Sequence, residues 1–393
     1  MPQVHNRLYV RRRSSTGART GPRPYSLVPA PDRGEDGASP LRISILLTMK
    51  ICFVAHQTAA LVAGGPLTQM RETARGLAGL GVTVGYFDQW RPMRAGEYDL
   101  VHLFNASVMT HDLALRLHQF GIPYVVSPIF FTLRTAEVMR ASRYILRQMG
   151  RIATGVQTDY DAVGDICRMS RLVLPNTVAE GEIIVEGLDV DRGKIRVVPN
   201  GVDPRFTEAT PELFEKEYGV RDFVLNVGHI GSGRKNVLSL MKAMRGIDRD
   251  LVVIGKIQNG AYADACLDEA QRNGRITIID GLPNDSPLLA SAYAASALFA
   301  LPSLFETPGI AALEAALAGA RIVITPHGGT REYFGEEAVY VEPASVESIA
   351  AGIRRSLAMP APPELRERIV REYSWRRVAE RTAEVYREAV DLL

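Results

Sequence analysis

From Met49 onward, short apolar runs alternate with helix-length amphipathic segments. In the first half the runs are Lys50–Ala55, Val82–Phe87, Leu100–Phe104, Tyr124–Ser127, Leu172–Leu174 and Ile195–Val198. In the second half they are Phe223–Val227, Leu251–Ile254, Ile276–Ile279, Leu298–Leu301, Ile322–Thr325 and Val339–Val341. Continuous runs rich in β-branched residues read as strands buried on both faces, and helices between them imply parallel sheets. The predicted fold class is α/β, with two doubly wound, Rossmann-like parallel-sheet domains facing a cleft. Pro199-Asn200-Gly201-Val202-Asp203-Pro204 is turn chemistry and marks the boundary. The domains are then 49–202 and 203–372, and in 373–393 a helix from Trp375 is expected to pack back on the first. A chain of 393 residues has ample length for two separate cores.

Composition narrows the field. The net charge of +2 gives no footprint for general nucleic-acid binding. Cys52, Cys167 and Cys266 are too few and too far apart for a disulfide framework or a thiolate metal cage, which fits a reducing, cytoplasmic setting. No uncharged stretch reaches the roughly 18–20 apolar residues of a membrane span.

The first 48 residues stand apart. They hold eight arginines, from Arg7 to Arg42, against Asp32, Glu35 and Asp36, so the remainder is slightly acidic. Pro and Gly recur from Gly17 to Pro40 with little periodicity. This segment is expected to be a disordered or spurious extension, with Met49-Lys50-Ile51 as a natural start. Frequent Arg and Ser suit a transit peptide, but no apolar helical face supports one. The short core Ile43–Leu47, with no small-residue cleavage site after it, argues against a secretory signal.

Ligands in doubly wound sheets bind just outside the carboxyl ends of the strands. The strongest motif lies there: Pro302-Ser303-Leu304-Phe305-Glu306-Thr307-Pro308-Gly309-Ile310-Ala311-Ala312-Leu313-Glu314 follows Leu298–Leu301. Thr307 suits an N-cap and Pro308 a first helical position, which predicts a helix running to about Gly319. Free N–H groups of Gly309 and Ile310 would receive an anion, aided by the helix dipole. Glu306 beside an anion site makes most sense bonding neutral hydroxyls, and Glu314 can accept from the two hydroxyls of a ribose. Phosphate donors flanked by such carboxylates describe a nucleotide-sugar site.

Glu306 to Glu314 resembles the Glu-x7-Glu motif of the family 4 (group 1) glycosyltransferases, which have the GT-B fold. The likeness extends over nearly all of 49–393. Met49–Ala55 with Gly64-Gly65 resembles the opening strand and glycine loop, and Pro199–Asp203 the linker. Val227-Gly228 with Arg234-Lys235-Asn236 resembles the phosphate loop. Gly329-Thr330-Arg331-Glu332-Tyr333-Phe334-Gly335 and Tyr373-Ser374-Trp375 resemble the closing segments.

The resemblance implies a hexosyltransferase-type retaining enzyme, metal-independent and without a cofactor, whose co-substrate is a nucleotide diphosphate sugar. It makes Lys235 and Glu306 the catalytic candidates. Donor phosphate would be held by Gly64, Gly65, His229, Arg234, Lys235, Gly309 and Ile310, and donor sugar and ribose by Glu306 and Glu314. The glycine spacing of Gly228–Gly233 does not fit a dinucleotide fingerprint, whereas Lys235 is a compact charge for a diphosphate. His229 stands where the family usually has an arginine, so Arg234 either compensates or is a solvated flank, the second being favoured. After Tyr124–Ser127 the family often has a histidine near the sugar, and here the chain reads Pro128-Ile129-Phe130. His56 and His111 read as structural, and His102, inside a strand, as a core residue.

Asp-x-Asp strings at Asp159–Asp161, Asp189–Asp191 and Asp248–Asp250 fall outside the predicted cleft and assign no metal. Arg140, Arg143, Arg147 and Arg151 share one helical face, which is either solvated or rests on anionic lipid at the inner face of the membrane. The acceptor is expected to be a sugar or a lipid-linked sugar in cell-surface polysaccharide or glycolipid synthesis. A catalytically weak nucleotide-sugar-binding partner protein, and an epimerase or phosphorylase on the same fold, are the alternatives.

Overall fold

The computed structural model describes residues 49–58, 64–94, 96–150 and 158–392. The extension at 1–48 lies outside them, as do Arg151 and the side chain of Arg147.

The first domain runs β1 (Lys50–Ala55), α1 (Gly65–Gly79), β2 (Thr83–Tyr86), β3 (Leu100–Phe104), α2 (Val108–Gln119), β4 (Tyr124–Ser127), α3 (Ala136–Gly150), α4 (Asp159–Met169) and α5 (Val178–Leu188). Its four strands are all parallel in the order β2-β1-β3-β4, with Cys52 opposite Val101 and Val101 opposite Tyr124. Leu172–Leu174 and Ile195–Val198 do not form full strands. They extend the sheet beyond β4 as single bridges, Val126 to Val173 and Val173 to Ile195. Pro175 and Pro199, which close these runs, carry no N–H for a longer ladder.

The second domain runs α6 (Glu212–Tyr218), β5 (Phe223–Val227), α7 (Val237–Ala243), β6 (Leu251–Ile254), α8 (Ala261–Arg272), β7 (Ile276–Ile279), α9 (Pro287–Ala295), β8 (Ser296–Leu301), α10 (Ile310–Leu317), β9 (Arg321–Ile324), α11 (Thr330–Phe334), β10 (Val339–Tyr340), α12 (Val346–Ala358) and α13 (Pro363–Tyr373). Its sheet has the order β10-β9-β8-β5-β6-β7. The order reverses between β5 and β8, which pair in parallel. That reversal opens a crevice at their carboxyl ends, where the loops 228–236 and 302–309 begin.

The last helix, α14 (Trp375–Asp391), belongs to the first domain's core. Trp375, Val378, Ala379, Ala383 and Tyr386 pack with Ile51, Phe53, Leu77 and Leu100. The helices α1 and α14 cross closely at Gly76, where an added Cβ would lie 2.7 Å from the Ala379 Cβ. The chain passes between domains twice, side by side: the Val202 N–H donates to Tyr373 O at 2.8 Å, and Val202 bridges Ser374.

His102 on β3 is fully buried. Its ring nitrogens meet the Tyr386 hydroxyl at 2.5 Å and the Ser127 hydroxyl at 2.9 Å. Burial pushes its pKa down to about 3, so the imidazole is neutral and locks α14 to the sheet.

Candidate functional site

The loop after β5 is fixed from both ends. A 3₁₀ turn at Gly233–Lys235 ends at Asn236, whose φ of 54° is the left-handed conformation that asparagine tolerates. The Asn236 amide donates to Pro302 O at 3.0 Å and Pro343 O at 2.7 Å, and the Leu304 N–H donates to Arg234 O at 2.8 Å. These bonds join the phosphate-loop candidate to the Glu306 loop.

The result brings together the two acidic and basic candidates. Lys235 Nζ donates to Glu306 Oε1 at 2.5 Å, and Arg234 reaches the same oxygen at 3.4 Å. Glu306 is 5% exposed. Burial alone would raise its pKa, but the charges of Lys235 and Arg234, with hydrogen bonds from Lys235 and Ser303, outweigh it and hold the carboxyl below its usual value. Arg234 is therefore not a solvated flank. Its guanidinium lies 5.2 Å from the centroid of the Phe305 ring and donates to Phe305 O at 3.0 Å. Aromatic stacking and a charged partner hold it at the site. His229 stands half-buried in the loop ahead of these cations.

The helix after Glu306 starts later than Thr307 and Pro308 suggest. Gly309 is its N-cap at φ 84°, and α10 begins at Ile310. A left-handed residue at this point needs glycine, and a Cβ on Gly309 would lie 3.8 Å from the Glu306 Cβ, so α10 begins beside the carboxylate. Gly65, at the first turn of α1 with Gly64 as its N-cap, faces this end from the other domain. A Cβ on Gly65 would sit 4.0 Å from Ile310 Cδ1. Two helix N-termini, two cations and a carboxylate therefore converge.

Glu314 lies inside α10, buried, accepting from Asn284 Nδ2 at 2.8 Å and the Tyr293 hydroxyl at 2.7 Å. Burial raises its pKa to about 6, against the opposing effect of those donors. Asn284 and Tyr293 escape sequence reasoning because they come from other segments of the fold.

Of the arginine stripe on α3, Arg143 does not face outward. Arg143 is 2% exposed, lies 3.3 Å from Asp161 and 3.1 Å from Asp189, and donates to Gly187 O at 3.0 Å. A guanidinium so enclosed has no lipid-facing surface, and the same contacts occupy two of the Asp-x-Asp strings. Arg140 donates to Glu186 O at 2.6 Å. Among the described residues there is no cluster of three His, Cys, Asp or Glu placed to hold a metal, and no helix long and apolar enough to cross a membrane. His56 bonds Thr58, and His111 bonds Asp165 at 3.3 Å.

Sequence reasoning also missed the contact zone between domains. The Tyr333 hydroxyl donates to Asn176 O at 2.9 Å and accepts from the Asn200 N–H at 2.8 Å. The Glu332 carboxylate accepts from the first amides of α5, Val178 at 2.7 Å and Ala179 at 2.9 Å. Both residues sit in a motif the resemblance points to, but nothing in that motif shows where they dock.

Two facing parallel-sheet domains with this crevice between them are the GT-B architecture. The family model "Glycosyl transferases group 1" matches residues 213–373, so the second domain is a domain of that group. The MMP alpha-(1→4)-mannosyltransferase of Mycolicibacterium hassiacum is 26% identical over 313 residues, covering 76% of this chain and 72% of that protein. Sucrose-phosphate synthase from Thermosynechococcus elongatus superposes with a TM-score of 0.70 at 18% identity, over 88% of this chain and all of its own. Anabaena HepE in complex with UDP-glucose gives a TM-score of 0.66 at 17% identity, over 86% and 100%.

Proposed function

We propose that this protein transfers a sugar from a nucleotide diphosphate sugar to a hydroxyl acceptor with retention of configuration and without a metal or cofactor. The observation that carries the reading is the convergence of Lys235, Arg234 and the N-terminus of α10 on one point, with Gly65 facing it. Bond breaking leaves a negative diphosphate and an oxocarbenium-like sugar. Lys235, Arg234 and the Gly309, Ile310 and Gly65 amides take up the diphosphate charge, with His229 adding a hydrogen bond. Glu306 meets the sugar hydroxyls, and Glu314 the ribose. Such donors are fixed before the reaction, so they cost no reorganisation when charge develops.

The acceptor binds on the first domain, and cell-surface polysaccharide or glycolipid synthesis is the setting in which such donors and acceptors meet. The UDP-glucose complex of the Anabaena neighbour makes UDP-sugars the first donors to try.

A thermal-shift screen of residues 49–393 against UDP, GDP, ADP, TDP and their common sugars tests the donor site. Ligand at 100 times Kd stabilises by about 2.7 kcal/mol, and one nucleotide class should stand out. No shift with any of them would sink the reading. Release of nucleoside diphosphate only when an acceptor is added separates transfer from epimerisation. Binding without any transfer would leave the partner-protein alternative.

A further inference from the structure

Glu180, on the first turn of α5, is completely buried, and among the described residues no cation pairs with it. Its carboxylate accepts from the backbone instead: Oε1 from the Phe130 N–H at 2.8 Å and Oε2 from the Asn176 N–H at 2.8 Å. Phe130 lies in the loop after β4, at the cleft, directly after Ile129. Ile129 has a φ of 52°, a left-handed conformation that is a true outlier for a β-branched residue and persists only when its surroundings impose it. Phe131 then reaches across to the other domain, its ring 5.1 Å from that of Phe305, the residue before Glu306. On the other arm, Asn176 accepts from Gln69 Nε2 at 2.9 Å, and Gln69 lies one turn into α1, which opens at Gly65.

We propose that Glu180 is a positioning residue for sugar transfer: its carboxylate holds the Ile129–Phe131 loop and, through Asn176 and Gln69, the glycine end of α1 in the geometry that meets the donor. The proposal rests on the glycosyltransferase reading above. The chemistry requires an acceptor-only group, because both oxygens face N–H donors. An apolar side chain would leave those N–H groups buried and unpaired. A structural role alone would not need the acid, since Thr177 already caps α5 by accepting from the Glu180 N–H at 3.0 Å. The loop also occupies the place where the family resemblance leads one to look for a histidine. Burial raises the Glu180 pKa to about 7 against hydrogen bonds from Phe130, Asn176 and Ile129, with Glu332 of α11 adding to the rise.

The test is Glu180→Gln in the full chain, an isosteric change that sets an NH2 group against a backbone N–H. Three quantities are read: release of UDP from UDP-glucose (or the donor the screen selects) with glucose as the acceptor probe, UDP affinity by calorimetry, and melting temperature. The expected result is a kcat reduced about 10- to 100-fold with UDP affinity reduced no more than about threefold, since Lys235, Arg234 and the start of α10 stay in place and only the Gly65 arm of the diphosphate site is disturbed. Glycine adopts a positive φ unaided, so in an Ile129→Gly background the same substitution should cost at most about threefold, a coupling of the kind seen between residues sharing one network. Wild-type turnover in E180Q, full additivity with I129G, or parallel loss of UDP binding would each overturn the proposal. Should E180Q not fold, Glu180→Asp decides, a shorter carboxylate that cannot keep both the Phe130 and the Asn176 N–H groups. Lower kcat at unchanged UDP affinity supports a positioned loop, and unchanged kcat removes it. A wild-type chain that neither binds nor transfers removes the reading beneath the proposal, and the proposal with it.

Discussion

Lys235 and Glu306, 71 residues apart in the chain, meet at 2.5 Å, and Arg234 shares the same carboxylate oxygen at 3.4 Å. The positive charge that would meet a diphosphate is thus already matched by a buried carboxylate. On the proposed reading, a bound diphosphate would compete with Glu306 for Lys235 and free the carboxylate for sugar hydroxyls. Both residues would then change partners together.

Lys235→Ala should lower turnover by at least 10²- to 10³-fold, the usual cost of one well-placed donor at such a site, about 3–4 kcal/mol. Near-normal steady-state turnover would remove Lys235 from the chemistry. Because the same change strands Glu306, Lys235→Ala and Glu306→Gln should be markedly less than additive in a double-mutant cycle.

Glu314→Ala should act mainly on the donor KM and leave kcat within a few-fold. Ribose contacts are made equally in ground and transition states, so their loss is uniform. A large fall in kcat with KM unchanged would place Glu314 at the reacting centre instead.

His102 gives a pH signature. Its pKa falls from 6.5 to about 3 on folding, so the unfolded chain takes up a proton that the folded chain refuses. The stabilisation is fully present above pH 6.5 and is lost as pH falls toward 3, in total about 4–5 kcal/mol. Urea titrations of wild type and His102→Gln between pH 7.5 and 4 should show a shallower acid loss in the variant. The raised Glu180 and Glu314 shift stability the other way in both proteins, so the difference isolates the histidine. Parallel curves would contradict it.

Arg143→Ala should destabilise the first domain by about 3 kcal/mol, because it removes an enclosed guanidinium that ties Asp161, Asp189 and the Gly187 carbonyl together. Arg140, whose side chain is half-exposed, should cost under about 1 kcal/mol on the same change. Equal, small effects in denaturant midpoints would mean that Arg143 is not the buried tie it is in this structure.

Much of this molecule was readable in its sequence, for definite reasons. Most strands after Met49 are continuous apolar runs buried on both faces, the edge strand β2 being the exposed exception, and Glu306 and Glu314 fall in one helix and the loop before it. Gly309 was read as an anion contact, but its left-handed φ, which delays the helix start, cannot be seen in a string of letters that suits Thr307 and Pro308 equally well. Arg143 departed from the expected outward face because helical periodicity shows which residues share a side, not whether one of them meets water or Asp161 and Asp189. Glu180 did carry a signal: Thr177-x-x-Glu180 is a capping-box pattern. Its carboxylate nonetheless turns to Phe130, 50 residues away in the chain, where no local pattern reaches.

The paired crossings at Val202 and Ser374 make the second domain an insertion within the first. During synthesis, β1 to β4 emerge early but lack the helix that covers Ile51, Phe53 and Leu100 until α14 follows. The nucleotide half can close its own core first, while the other half waits with an apolar sheet face uncovered. That waiting face, rather than any single contact at the cleft, is where a nascent chain of this design is open to aggregation and where a chaperone would find its grip.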